Sequence, residues 1–140
     1  MRKKIIRKTS LWLPPLLWAF LIFRFSSGKI PIASAVYWQD FAVKKTGHVL
    51  LFGFLAILLY RSLRGEGVGR KRAAIWAVAL ATFYGVTDEY HQMFTQGREA
   101  RVRDVFIDGA GAMVAVFFAY HLLPKLPKKL KILAERENLI

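Results

Sequence analysis

Side chains capable of acid–base chemistry, metal binding or anion binding are concentrated in three short stretches of this 140-residue chain. The stretches are Lys45-x-x-His48, Asp88-Glu-x-His-Gln92 and residues 97–108. Carboxylates and imidazoles carry protons or hold divalent metals, and Arg and Lys bind anions. The chain has no cysteine, which excludes disulfides and thiolate metal sites. The candidate residues are Lys45, His48, Asp88, Glu89, His91, Gln92, Arg98, Arg103, Asp104 and Asp108.

Four windows without any charged residue must position these stretches: 9–23, 46–60, 73–87 and 109–124. Each is shorter than the roughly 20 residues that cross a bilayer, but their apolar residues surround the whole helix circumference, unlike a soluble bundle. The sequence therefore predicts an all-α membrane protein: a single domain, 1–140, built as a four-transmembrane-helix bundle. Flanking charged residues complete each helix, and residues 26–41 are predicted to form an outer loop.

Charge is distributed unevenly between the predicted connections. Of the 22 Lys and Arg residues, 15 lie before residue 10, between residues 61 and 72, or after residue 123. The positive-inside rule then predicts that both termini are cytoplasmic and that the candidate residues lie at the outer interface. The protein is expected in the plasma membrane as a multi-pass protein.

Partners follow from the same distribution. Three basic clusters on one membrane face predict contact with anionic membrane lipids, and residues 124–140 form a basic amphipathic cytoplasmic tail. No nucleic-acid partner is expected, since the aromatic residues lie mostly inside the apolar windows. Residues 33–35 resemble the end of a cleavable signal, but Arg24, Lys29 and Pro31 interrupt the approach to them, which favours a retained first helix.

Small residues at four-residue spacing predict where the last two membrane helices pack. The third window carries Ala77, Ala81 and Gly85, and the fourth carries Gly111, Ala115 and Ala119. At 100° per residue, the carboxylates that follow the third stripe and precede the fourth continue these faces. They are therefore predicted to face other helices rather than lipid, whereas the directions of the two nearby histidines stay open.

The order of these motifs resembles the VanZ-like family of small bacterial membrane proteins. The resemblance runs from about residue 40 to 122 and rests on Lys45-x-x-His48, Asp88-Glu-x-His-Gln92, Gly97-Arg98 and Arg103-Asp104, with Asp108 and Gly111. It implies a bacterial membrane protein of the cell envelope, linked in the name-giving member to resistance against the glycopeptide teicoplanin. The chain departs from the family pattern at Asp108, where Asn is common, and at Lys44, where Asp often precedes the lysine.

Three interpretations of the polar residues remain open. In the first, the chain is a metal-dependent hydrolase that acts on a lipid or lipid-linked precursor. A divalent metal would activate water, with His48, Asp88, His91 and Asp104 as candidate ligands and Asp108 as an alternative to Asp104.

In the second, the protein engages an outer-leaflet or wall-linked anionic ligand, such as a lipid-linked cell-wall precursor, or a glycopeptide. The candidate ligand-binding residues are Lys45, His48, Gln92, Arg98, Arg103 and Asp108, and the candidate proton carriers or catalytic residues are Asp88, Glu89, His91 and Asp104.

In the third, the same charges form a purely structural network that closes the outer end of the bundle, because unpaired charges at this depth must find partners. The sequence favours the second interpretation, with the hydrolase and the structural network as alternatives, and it leaves substrate, metal occupancy and oligomeric state undetermined.

Overall fold

The fold is helical throughout the part of the chain that the computed structural model describes, residues 2–28, 35–98 and 100–140. Its helices are α1 (Arg2–Ser26), α2 (Tyr37–Gly65), α3 (Arg70–Gln92), α4 (Val102–Leu122) and α5 (Lys128–Arg136), with a 3₁₀ turn at Leu123–Lys125 before α5. Helices α1, α2 and α3 contain the first three predicted apolar windows, and α4 with the 3₁₀ turn contains the fourth; all four helices begin before their windows, in segments that contain charged residues. The all-α prediction is therefore confirmed. Residues 33 and 34 of the signal-like segment lie outside the described residues.

Helix α2 begins earlier than predicted. The sequence predicts a loop over residues 26–41, but α2 already starts at Tyr37, and the Val36 carbonyl accepts the first backbone hydrogen bonds of the helix. Asp40 lies in the first turn, where its charge complements the helix dipole, and pairs with Lys44 at 2.6 Å. These local interactions extend the helix into a segment whose mixed polarity suggested a loop.

The core lies where α2, α3 and α4 meet, and small residues bring these helices close together. Ala73, Ala77 and Ala81 of α3 are completely buried. A Cβ added at Gly111 of α4 would lie only 2.6 Å from the backbone oxygen of Val49 in α2. The predicted packing faces are confirmed, and α4 uses its face against both α2 and α3.

Helix α1 packs against the outside of this three-helix core. The Trp18 indole donates a hydrogen bond to the Leu51 carbonyl at 2.9 Å, and the Tyr84 hydroxyl donates to the Ala19 carbonyl at 2.6 Å. Both aromatic side chains thereby satisfy backbone groups of a neighbouring helix, which fixes α1 against α2 and α3.

Within the described part of the chain, three helical segments are long and apolar enough to cross a membrane: Lys4–Ser26, Tyr37–Gly65 and Val102–Lys125. Helix α3 has 23 residues but lower hydropathy, because it begins with three basic residues and carries Asp88 and Glu89 near its end. The structure thus confirms that the chain has helices of membrane-spanning character. Judged by length and composition, three of the described segments have it.

The helices alternate in direction, so that their ends gather at two opposite places. At the first, which we call the basic end, Arg7 donates to the carbonyl of Gly65, Arg70 donates to the carbonyl of Tyr120 at 2.5 Å, and Arg61 pairs with Glu137 at 3.0 Å. The N-terminal segment, the α2–α3 turn and the C-terminal tail therefore lie together. In the tail, α5 exposes Leu130, Ile132 and Leu133 beside its lysines.

Candidate functional site

The opposite end of the bundle, which we call the polar end, collects the candidate residues. Helices α1 and α3 end there, and α2 and α4 begin there. Because charged residues flank each apolar window, this arrangement brings residues from three sequence stretches within contact distance. Four carboxylates, Asp88, Glu89, Asp104 and Asp108, are buried at this end, each exposing 6% or less of its surface.

Asp104 is held by an ion pair between α2 and α4. The Lys45 Nζ lies 2.5 Å from Asp104 Oδ2, and Arg103 Nε lies 3.8 Å from Asp104 Oδ1. The ring of Phe41 lies beside both cations, 5.6 Å from Lys45 Nζ and 4.8 Å from the Arg103 guanidinium carbon. A cation over an aromatic face is attracted to it, so Phe41 helps to place the two bases at the mouth of the site.

A second group lies deeper and joins α2, α3 and α4. His48 Nδ1 and Asp108 Oδ1 are 2.8 Å apart, and Asp108 is completely buried. Glu89 completes the group: ligand atoms of His48, Glu89 and Asp108 all lie within 4.8 Å of one another. Glu89 Oε2 also accepts a hydrogen bond from the Arg101 backbone N–H at 2.7 Å. The structure thus settles the direction of His48, which sequence reasoning left open.

Asp88 occupies a separate place behind this group. Its Oδ2 accepts a hydrogen bond from the Gln92 amide at 2.8 Å, one helical turn further along α3. Asp88, Gln92, His48 and Ser26 line a small cavity of about 50 Å³, which we call the inner cavity. Such a volume is suited to one or two water molecules between polar groups.

Arg98 lines the inner cavity and also closes the end of α1. Its guanidinium donates hydrogen bonds to the carbonyls of Phe25 and Gly28, the latter at 2.8 Å. Burial lowers the pKa of the Arg98 guanidinium from its ordinary value, and the carboxylates of Asp88 and Glu89 act against this effect. Arg98 therefore anchors α1 to the α3–α4 loop as well as supplying positive charge.

His91 lies away from the deeper group. Its Nε2 is 3.1 Å from the Ser27 hydroxyl, and its ring lies 4.5 Å from that of Phe23 in α1. Of the five residues that the sequence proposes as metal ligands, His48 and Asp108 belong to the group of three that the described residues bring together. Asp88 and Asp104 lie at the same end of the bundle with other partners. Glu89, which the sequence assigns to another role, completes the group.

The polar end contains a larger cavity of about 250 Å³, which we call the cationic pocket. Its lining includes five basic side chains and one acidic side chain, Asp40, which pairs with Lys44. The buried carboxylates of α3 and α4 are absent from this lining. The basic side chains are Lys44, Lys45, Arg98, Arg101 and Arg103.

Sequence reasoning did not include the α2 residues that precede Lys45 in the site. Tyr37, Phe41 and Lys44 all line the cationic pocket. A signal was present, because Phe41 and Lys45 are four residues apart and Asp40 and Lys44 likewise, a spacing that aligns side chains on a helix. The prediction of a loop up to residue 41 concealed it.

The family model that matches this chain carries the description VanZ/LLP1 and covers residues 6–123. The chain belongs to the VanZ/LLP1 family. Comparisons with curated proteins and with solved structures found no match. The VanZ/LLP1 match begins within α1, covers α2 to α4 and ends at the 3₁₀ turn that precedes α5, so the helices that build both cavities belong to the family region.

Proposed function

We propose that this VanZ/LLP1 protein crosses the plasma membrane four times. Helix α3 would cross it in addition to α1, α2 and α4. At about 1.5 Å per residue, its 23 residues extend roughly 35 Å, which exceeds the hydrocarbon thickness of about 30 Å. Buried residues run along its length from Ala73 to Gln92, against α2 and α4. Because these neighbours are themselves apolar enough to span, α3 crosses the same thickness with its polar residues kept inside the bundle.

Lysine and arginine distribution supports a cytoplasmic basic end. The 15 basic residues before residue 10, between residues 61 and 72, or after residue 123 all belong to segments that gather there. By the positive-inside rule both termini are then cytoplasmic, α5 lies along the inner leaflet, and the polar end faces the outer interface.

The function that this geometry supports best is binding of an anionic envelope ligand at the outer interface. This proposal rests on a separation of charge at the polar end: five basic side chains line the cationic pocket, while four carboxylates are buried behind them. A phosphate or carboxylate entering the pocket meets the basic side chains first. Arg103, with half of its side chain exposed, lies at the entrance.

A lipid-linked cell-wall precursor is the ligand class that fits this position. It presents pyrophosphate at the outer interface and keeps its hydrocarbon chain in the bilayer. Binding of such a precursor would connect the chain to protection against glycopeptides such as teicoplanin, which act on the cell wall.

Binding to a polyprenyl pyrophosphate tests the proposal. We expect the purified protein in nanodiscs to bind this lipid at least tenfold more tightly than the corresponding uncharged polyprenol. Arg103→Gln and Lys44→Gln, which remove pocket charges near the entrance, should each weaken binding about tenfold, as expected for loss of one charge-assisted hydrogen bond. Native mass spectrometry or a competition assay measures the affinities.

Arg72→Gln is the matched control, because it removes a basic side chain that is exposed at the basic end. It should leave pyrophosphate binding unchanged. Equal affinity of the parent for the charged and uncharged lipids would overturn the proposal, as would equal losses from Arg72→Gln and Arg103→Gln. A resistance role further predicts that expression in a susceptible host lowers teicoplanin susceptibility and that Arg103→Gln abolishes this effect.

A further inference from the structure

The buried carboxylates behind the cationic pocket are not fully satisfied by the protein. Among the described residues, one oxygen of each has no hydrogen-bond partner: Asp88 Oδ1, Glu89 Oε1, Asp104 Oδ1 and Asp108 Oδ2. Leaving a buried acceptor without a partner is costly, and more so when the group is charged. Such atoms mark a place where a positively charged species would be stabilised.

Two of these oxygens belong to the group formed by His48, Glu89 and Asp108. The three side chains come from α2, α3 and α4, and their ligand atoms approach within 4.8 Å of one another. Asp108 is completely buried and Glu89 is 6% exposed, so water competes little for their free oxygens. An imidazole and two carboxylates form a donor set suited to Zn²⁺ or Mn²⁺.

We propose that His48, Glu89 and Asp108 form a divalent-cation site between the three core helices. Ligands at about 2.0–2.2 Å from one ion lie roughly 3.4 Å apart in a tetrahedral site. The present separations of up to 4.8 Å would shorten, and the 2.8 Å His48–Asp108 hydrogen bond would give way to the ion. His48 lines both cavities of the polar end, which places the ion at the wall of the cationic pocket. The site does not depend on the anionic-ligand proposal, because metal binding is measured on the protein alone.

The surroundings of the group favour a preformed site. A Cβ added at Gly85 would lie 3.2 Å from Asp108 Oδ2, so the glycine leaves room for this carboxylate against α3. The His48 ring stacks parallel to that of Phe52, which is almost completely buried. The Arg101 backbone N–H holds the second oxygen of Glu89. Ligands oriented by such neighbours lose little entropy on binding an ion.

Metal titration of untagged, chelator-stripped protein tests the site. We expect about one Zn²⁺ or Mn²⁺ per chain, measured by calorimetry and by elemental analysis after gel filtration. His48→Gln, Glu89→Gln and Asp108→Asn should each weaken binding at least tenfold. His91→Gln and Asp104→Asn are matched controls from the same end of the bundle and should retain the affinity of the parent.

X-ray absorption of the zinc-loaded parent protein identifies the metal ligands directly. It therefore tests the site even where a variant does not fold. The expected first shell contains one imidazole nitrogen and carboxylate oxygens at about 2.0–2.2 Å. The proposal is overturned by a parent that binds neither ion stoichiometrically, by a first shell without imidazole, or by losses confined to the His91 and Asp104 variants. Any of these results leaves pyrophosphate binding to be judged by its own assay.

Discussion

At the scale of single residues, the polar end places its acids inside and its bases outside. Asp104 is 6% exposed at its side chain, and its partner Lys45 is 18% exposed. An ion pair this deep contributes little net stability by forming, because desolvation offsets attraction, but loss of one partner leaves a buried charge without compensation.

Lys45→Met is therefore expected to lower the free energy of unfolding by about 3 kcal/mol. The effect falls at the low end for buried pairs because Arg103 stays near Asp104. Adding Asp104→Asn to Lys45→Met should recover most of this loss, since the buried charge is then removed as well. Denaturant-induced unfolding in detergent micelles measures both variants.

Lys44→Met is the control for this prediction. Lys44 pairs with Asp40 one turn apart on α2, at side-chain exposures of 25% and 17%. A pair of this kind contributes only about 0.3–0.5 kcal/mol. If Lys44→Met and Lys45→Met lower the free energy of unfolding by similar amounts, the depth of burial of an ion pair does not determine how much stability its loss removes.

At the scale of the helices, glycine decides how closely α4 approaches α2. A Cβ at Gly111 would meet backbone atoms of Val49 at 2.6 and 2.8 Å, and backbone cannot rotate away as a side chain can. Gly111→Ala should therefore push the two helices apart and cost about 1–3 kcal/mol. Thermal unfolding in detergent, followed by circular dichroism, measures the loss.

Gly47→Ala in α2 provides the matched comparison. A Cβ at Gly47 would meet nothing within 4 Å. Alanine has the higher helix propensity, so this variant should be as stable as the parent or gain up to about 1 kcal/mol. If the Gly111→Ala and Gly47→Ala proteins unfold at the same temperature, Gly111 does not determine the close approach of α2 and α4.

At the scale of the whole molecule, the position of α3 determines whether the two ends face opposite sides of the membrane. The natural chain has no cysteine, so single cysteines report without background. Gln96 is exposed in the α3–α4 loop, and Gly69 is exposed before α3 with open space around a Cβ. In intact cells, an impermeant maleimide should label Gln96→Cys at once and Gly69→Cys only after permeabilisation.

The alternative outcomes are equally informative. Labelling of both positions in intact cells would show that α3 does not cross the membrane. Labelling at Gly69 alone would show the opposite orientation, with the cationic pocket at the cytoplasmic face.

The sequence by itself determined the helical class, the four apolar segments and the burial of the carboxylates. Each of these features depends on one helix at a time. Charge-free windows define the helices, and rotation of 100° per residue places Glu89 on the face of Gly85. The start of α2 was the exception, because Asp40 in the first turn, paired with Lys44, favours a helix in a segment of mixed polarity.

Only the tertiary structure decided which polar residues meet. His91 and Glu89 are two residues apart on α3, yet the first faces α1 and the second faces His48 and Asp108. The relative axial position of α2, α3 and α4 sets these partners, and contacts such as Gly111 with Val49 and Gly85 with Asp108 fix that position. Periodicity within one helix gives the direction of a side chain but not its height against a neighbouring helix, because close packing between helices determines that height.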